Sequence, residues 1–203
     1  MENLVSRDIN FVISPSGWRI IDTFFERSVN KSVYQISVQE LCSTLQINRK
    51  TFYQNFANRE DLISWIFAYQ LHTYLTEHES KETLTFERDA KDRKYLQLAI
   101  YRREIFLDIK RVLLEHAPYY KNVMASLDKE PLSAYLYKVY TPLIHQELRG
   151  AERIRKLGKN EGHFAAQFIS KSLINLVLKD FDTVPDIYFK HLETKLISAF
   201  IKK

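Results

Sequence analysis

The chain is short of the residues that break helices. It has four glycines and five prolines among 203 residues, so few positions force a turn or interrupt a backbone hydrogen-bond ladder. Its longer segments repeat apolar residues at helical rather than alternating spacing, and the expectation is an all-α protein. The single cysteine, Cys42, excludes an internal disulfide and fits the reducing cytoplasm. No apolar run is long enough to span a bilayer and no signal peptide opens the chain, so no membrane partner is expected. There is no glycine-rich phosphate loop and no Ser, His and acid spacing that marks a nucleophile, so neither enzyme activity nor a cofactor is expected. The six histidines, His72, His78, His116, His145, His163 and His191, are scattered. None makes a tight ligand motif with Cys42 or with another histidine, and no metal site is assigned.

What is present is enough apolar material, 45% of the residues, for a buried core. The net charge of +5 suggests an anionic partner but misleads about where it binds. Residues 1–66 hold Arg7, Arg19, Arg27, Lys31, Arg49, Lys50 and Arg59 against Glu2, Asp8, Asp22, Glu26, Glu40, Glu60 and Asp61, and are neutral overall. Any nucleic-acid argument must rest on a local segment rather than on the isoelectric point.

That segment is Ser37 to Leu62. Before it, Ser14-Pro15-Ser16 offers a cap and an early helical proline, and Trp18, Ile21, Phe25 and Val29 recur at helical spacing, with Ile20 and Phe24 widening the stripe. This reads as a first helix of about four turns. Ser37 with Glu40 makes a capping box for a second helix with Val38, Leu41, Cys42 and Leu45 inside. Gln46-Ile47 is the turn, and Asn48 caps a third helix that buries Phe52 and Phe56. Asn58 caps a fourth, with Leu62, Trp65, Ile66 and Tyr69 as its stripe and Asp61 at its positive end.

The packing face of the third helix predicts its outward face. With Phe52 and Phe56 inside, at about 100° per residue, Lys50 and Gln54 fall opposite, Thr51 and Tyr53 lie on the flanks, and Arg49 lies near the edge. No acidic residue stands between Leu41 and Arg59. Lys donates to guanine O6 and N7, and Gln pairs with adenine N6 and N7 in a major groove. Thr and Tyr hydroxyls suit phosphate oxygens. Arg59, at the next helix start, is within reach of a phosphate, and the helix starts near Ser37 and Asn58 offer free N–H groups. The candidate DNA contacts are Ser37, Asn48, Arg49, Lys50, Thr51, Tyr53, Gln54 and Arg59.

The same run resembles the helix-turn-helix of the TetR/AcrR family of bacterial regulators. The family pattern is Thr or Ser before the second helix, an apolar turn residue, a Thr-apolar-Tyr-x-x-Phe run, then a basic residue, an acidic residue and Leu. Here these are Ser37, Ile47, Thr51-Phe52-Tyr53-Gln54-Asn55-Phe56 and Arg59-Glu60-Asp61-Leu62. The likeness covers roughly residues 14–70, about a third of the chain. It departs from the pattern at Gln46, where a small residue is common, at Lys50, where Gly is usual, and at Gln54, where His or Tyr is often found. The resemblance implies a DNA-binding domain over 1–70 and a helical dimerisation and effector domain over 71–203. It implies a homodimer on a palindromic double-stranded DNA operator, most commonly a repressor released by a small-molecule effector. A helical protein adaptor and a metal-responsive regulator of the same fold are the alternatives.

Beyond residue 70, a charged stretch from Glu77 to Lys94 reads as a solvated helix end and loop. Further helices are expected at roughly 95–116, 131–148, 161–180 and 185–201. The last two carry broad apolar stripes, which either complete the monomer core or pair with a second chain as a four-helix interface. Phe168, Leu173, Leu176, Leu192, Leu196 and Phe200 are the candidate interface residues. The middle helices are rich in aromatics, which either fill the core or line a pocket. Tyr101, Phe106, Tyr135 and Phe168 are the candidate effector contacts.

Overall fold

The computed structural model describes residues 13–78, 86–88, 96–98, 105–125, 131–150 and 159–201. Nine helices lie among them: α1 (Pro15–Ser28), α2 (Val38–Leu45), α3 (Arg49–Asn55), α4 (Arg59–His78), α5 (Ile105–Glu115), α6 (Ala117–Met124), α7 (Pro131–Gly150), α8 (Lys159–Asp180) and α9 (Asp186–Ile201). A single 3-10 turn, Val33–Gln35, precedes α2. A small antiparallel ribbon pairs β1 (Phe86–Arg88) with β2 (Leu96–Leu98), Glu87 opposite Gln97. The architecture is all-α apart from this ribbon.

Local chemistry starts each N-terminal helix. The side chain of Ser14 accepts from Gly17 N–H at 3.1 Å, that of Ser37 from Glu40 at 3.0 Å, that of Asn48 from Thr51 at 2.8 Å and that of Asn58 from Asp61 at 2.7 Å. Each satisfies an amide that the helix itself leaves unpaired. Asp61 returns an acceptor to Ala57 N–H at 2.9 Å, where the helix dipole favours a carboxylate.

The stripe of α1 sits differently from the expected one. Its fully buried residues are Ile20, Phe24 and, nearly so, Ile21, whereas Val29 is exposed. Trp18 and Phe25 are half-buried because they serve other neighbours. Trp18 stands edge-on to Trp65 and Tyr69 of α4 at 5.2 and 4.9 Å, and Phe25 meets His116 and Tyr119 at 5.4 and 4.8 Å. So α1 packs on α2 and α3 with its centre and on α4 and α6 with its shoulders.

The expected helix over 95–116 is also redrawn. Residues 96–98 are strand, α5 begins only at Ile105, and α6 follows as a separate helix with Pro118 in its first turn. α7 and α8 form the most extensive helix pair, and α4, α5 and α9 pack around them. The boundary expected at residue 70 falls inside α4, which runs unbroken from Arg59 to His78. One helix therefore joins the N-terminal bundle to the rest of the chain.

Two polar ties cross that junction. Asn122 of α6 donates to the Ser28 and Val29 carbonyls at 2.7 and 3.1 Å, closing the end of α1. Arg111 of α5 donates to the Tyr74 hydroxyl of α4 at 3.2 Å and pairs with Asp186 of α9 at 3.8 Å. Buried Lys110 also pairs with Asp186 and lies over the Phe189 ring at 5.4 Å.

Candidate nucleic-acid interface

The interface is built from α2 outward. α2 is held on α1 by three basic side chains. Arg27 reaches Glu40 and donates to Thr44 at 2.8 Å, Lys31 reaches Glu40 at 3.2 Å, and Arg19 donates to the Leu45 carbonyl at 3.3 Å. The hydrogen bond from Lys31, with the charge of Arg27 and the Ser37 backbone, holds the Glu40 carboxyl below the usual carboxylate range. Leu41, Cys42 and Leu45 are buried beneath. The Cys42 thiol donates to the Asn48 carbonyl at 3.8 Å, and burial pushes its pKa up, so it acts as packing rather than as a nucleophile.

The turn into α3 is tight. Gln46 adopts φ 53, ψ 42, the left-handed conformation that ends a helix, and it is exposed. α3 then seats Phe52 and Phe56, which are 0% and 1% exposed. Its other anchor is Asn55, which is buried, accepts from Ser14 at 2.7 Å and donates to the Thr51 carbonyl at 2.8 Å.

With those three residues inside, Arg49, Lys50, Tyr53 and Gln54 are exposed. Arg49 donates to the Tyr53 hydroxyl oxygen at 3.3 Å and its guanidinium lies 5.9 Å from that ring. The phenol therefore accepts from Arg49 and keeps its own O–H for another acceptor. Thr51 is only half-exposed, and its hydroxyl donates to the Asn48 cap at 3.1 Å. Ser37 and Asn48 are exposed, with their side-chain oxygens spent on capping.

The Arg59 guanidinium, expected to meet a phosphate, turns inward here. It donates to the Tyr34 and Ile36 carbonyls at 3.1 and 3.4 Å and lies 4.9 Å from the centre of the Tyr34 ring. Backbone carbonyls some two dozen residues away attract it, and no local pattern around Arg59 foretells them.

Of the candidate effector contacts, Phe106 and Tyr135 are buried in the core, whereas Phe168 is 51% exposed. Tyr101 lies outside the described residues. Leu173 is 0% exposed within its own chain and has no surface left for a partner. Leu176, Leu192 and Leu196 are half-buried, and the Phe200 side chain lies outside those described. On α8 and α9 the large apolar side chains that stand outward, among the described residues, are Phe164, Phe168, Ile187 and Tyr188. Helical periodicity marks apolar faces but does not tell the inner from the outer when a helix has both. Among the described residues no three of His, Cys, Asp and Glu converge on a metal position, and no helix is long and apolar enough to cross a membrane.

A capped helix-turn-helix mounted on a larger helical body defines a class of regulator, and comparison with known proteins agrees. A family model described as the C-terminal region of transcriptional regulators, of TetR type, matches residues 103–181. The HTH-type dhaKLM operon transcriptional activator DhaS of Lactococcus lactis subsp. lactis (strain IL1403) is 44% identical over 50 residues, which are 24% of this chain and 27% of that protein. The match thus spans little more than a quarter of that relative's length. A solved structure of the dihydroxyacetone kinase operon activator DhaS superposes over 92% of this chain and 96% of its own, with TM-score 0.54 and 17% identity. The TetR family repressor AlkX from Dietzia sp. strain DQ12-45-1b covers similar shares at TM-score 0.46 and 15% identity, too low a score to build on. The chain is thus similar to TetR-type transcriptional regulators, in its C-terminal region over residues 103–181 and over a stretch of 50 residues shared with DhaS.

Proposed function

We propose that the protein is a homodimeric, sequence-specific DNA-binding regulator that lays α3 in the major groove. One observation carries this reading: Phe52, Asn55 and Phe56 fix α3 from within and leave Arg49, Lys50, Tyr53 and Gln54 on one exposed surface. Lys50 and Gln54 are the candidates for base edges, and the Arg49–Tyr53 pair for phosphate. The amides capped by Ser37 and Asn48 stand at helix N-termini, where anions are favoured.

Dimerisation is proposed through α8 and α9. Phe164, Phe168, Ile187 and Tyr188 are 69%, 51%, 54% and 62% exposed, and burying them against a second chain would remove this apolar surface from water. Two-fold pairing would place two copies of α3 about 34 Å apart, one turn of B-DNA, on a palindromic site. Where that site lies relative to the promoter sets whether binding blocks or assists transcription; the relative DhaS is an activator. Release by a small-molecule effector is part of the proposal on grounds of the family resemblance alone.

The test is selection of bound sites from a random duplex pool, followed by titration of the enriched duplex at several salt concentrations. The expected result is a two-fold symmetric motif and an affinity that falls steeply with salt. Lys50→Ala and Gln54→Ala should each relax the motif at one position per half-site by about 1–3 kcal/mol of discrimination. No enrichment, or a motif untouched by both substitutions, refutes the assignment of this face.

A further inference from the structure

Arg59 stands where a basic residue is expected to hold a phosphate, yet one terminal nitrogen of its guanidinium is already engaged within the chain. One guanidinium nitrogen donates to both the Tyr34 and Ile36 carbonyls. One flat face is covered by the Tyr34 ring. Nε is buried without a hydrogen-bond partner among the described residues, and the other terminal nitrogen lies 3.8 Å from the Glu60 carboxylate. The side chain is only 22% exposed. A phosphate that drew the guanidinium outward would strip the two carbonyls and the Tyr34 ring of this contact.

The position of the two carbonyls gives the arrangement its meaning. Tyr34 belongs to the 3-10 turn ahead of α2, and Ile36, itself fully buried, immediately precedes the Ser37 cap. Arg59 is the first residue of α4, four residues beyond the end of α3. A single planar cation therefore joins the entry of the helix-turn-helix to its exit. Ile36 is fully buried, and a buried carbonyl that loses its donor is costly.

We propose that Arg59 is a positioning residue for DNA binding, closing the α2–α3 unit into a rigid loop so that α3 is presented at a fixed angle, and that it does not contact the phosphate backbone. This rests on the DNA-binding reading above. The role needs arginine rather than positive charge. A lysine keeps the charge and is a good phosphate ligand, but it has no planar fork to bridge two carbonyls and lie flat on a ring.

Arg59→Lys is therefore the decisive variant, measured on the duplex enriched by selection and on an unrelated duplex of equal length. The expected result is roughly tenfold weaker binding to the enriched duplex, with an unchanged slope of log Kobs against log salt, because no phosphate contact is lost. Tyr34→Leu, which alters no charge, should weaken binding by a similar factor, and the double variant should be little worse than either single one. Amide exchange over residues 33–37 should quicken in Arg59→Lys, which separates the tie from DNA affinity. If Arg59→Lys binds as tightly as the parent while Arg59→Gln lowers the salt slope by about 0.9, Arg59 is a phosphate contact and the proposal is overturned. If the parent binds neither duplex, the DNA-binding reading falls; unchanged exchange over residues 33–37 in Arg59→Lys would then overturn the tie as well.

Discussion

Gln46 holds the turn between α2 and α3 at φ 53, and among the described residues it is the one non-glycine residue with positive φ. Its backbone N–H closes α2 on the Cys42 and Ser43 carbonyls, so the conformation is fixed by the helix end. Its side chain is exposed and can be removed with little loss of packing. A side chain in the left-handed region costs about 1–2 kcal/mol from the clash of Cβ with the backbone. Glycine removes that clash but loses about 0.4–1 kcal/mol to the greater freedom of its unfolded chain. The difference predicts that Gln46→Gly gains about 0.5–1 kcal/mol, or about 1–4 °C in Tm for a chain of this length. Gln46→Val should go the other way, since a β-branched residue tolerates positive φ poorly. The assay is thermal unfolding at one fixed protein concentration, because association alone would shift Tm. A Gln46→Gly protein that melts at or below the parent temperature, while keeping the parent's DNA affinity, would refute the strain argument.

Three further outcomes are expected. A Cβ on Gly17 would sit 2.5 Å from Ile13 Cγ1 and 2.6 Å from Asn55 Oδ1, so Gly17→Ala should cost about 1–3 kcal/mol by displacing Asn55; urea unfolding that shows no loss would contradict this. The Tyr119 hydroxyl is fully buried, finds no hydrogen-bond partner among the described residues, and has its pKa pushed well up by burial. Tyr119→Phe should therefore leave stability unchanged or raise it by up to about 1–2 kcal/mol, and a loss greater than 1 kcal/mol would reveal a partner. Burial lowers the His116 pKa below its ordinary value of about 6.5, with Glu115 opposing only in part. The unfolded chain then binds the extra proton more readily, so stability from this group is present above about pH 6.5 and falls as pH drops towards the folded pKa. Substituting His116→Gln should flatten the stability profile in that window, and an unaltered profile would show that another group is responsible.

The N-terminal bundle was legible because short-range chemistry specifies it. Ser14, Ser37, Asn48 and Asn58 each act on an amide three residues ahead, and Phe52 and Phe56 lie one turn apart, so a window of a few residues holds the information. Contacts of long sequence separation stayed hidden. Arg59 has the composition of a phosphate ligand, and only the position of the Tyr34 and Ile36 carbonyls turns it inward. Trp18 and Phe25 read as the centre of the α1 stripe until α4 and α6 claim them. α6 had a local signal, since Pro118 opens it and Tyr119, Tyr120 and Val123 form its buried side. The β1–β2 ribbon has three residues per strand, too few for alternation to show. In α8, Leu173 and Phe168 both belong to apolar stripes, but one faces the core and the other the solvent.

The ties across the middle of the chain bear on how the proposed dimer would read a symmetric site. A helix of 20 residues such as α4 is about 30 Å long. A tilt of about 5° at one end moves the other by about 2.6 Å, comparable with the 3.4 Å rise of a base pair. In the proposed dimer, matching two copies of α3 to two half-sites would therefore require α4 to be clamped against whatever element carries the dimer face. Arg111 supplies such a clamp, with the Tyr74 hydroxyl of α4 on one side and Asp186 of α9 on the other. Asp186 is in turn held by Lys110, whose burial makes the loss of that carboxylate costly. Ile187 and Tyr188 follow directly, so the outward apolar residues at the start of α9 are fixed to the same charge that is fixed to α4. At the other end, Asn122 pins the close of α1 to α6, and Lys121 next to it pairs with Asp182 in the α8–α9 turn at 2.7 Å. Both routes from the N-terminal bundle thus arrive at the same place, the start of α9, and a change in how α9 docks would reach α3 through two connections rather than one.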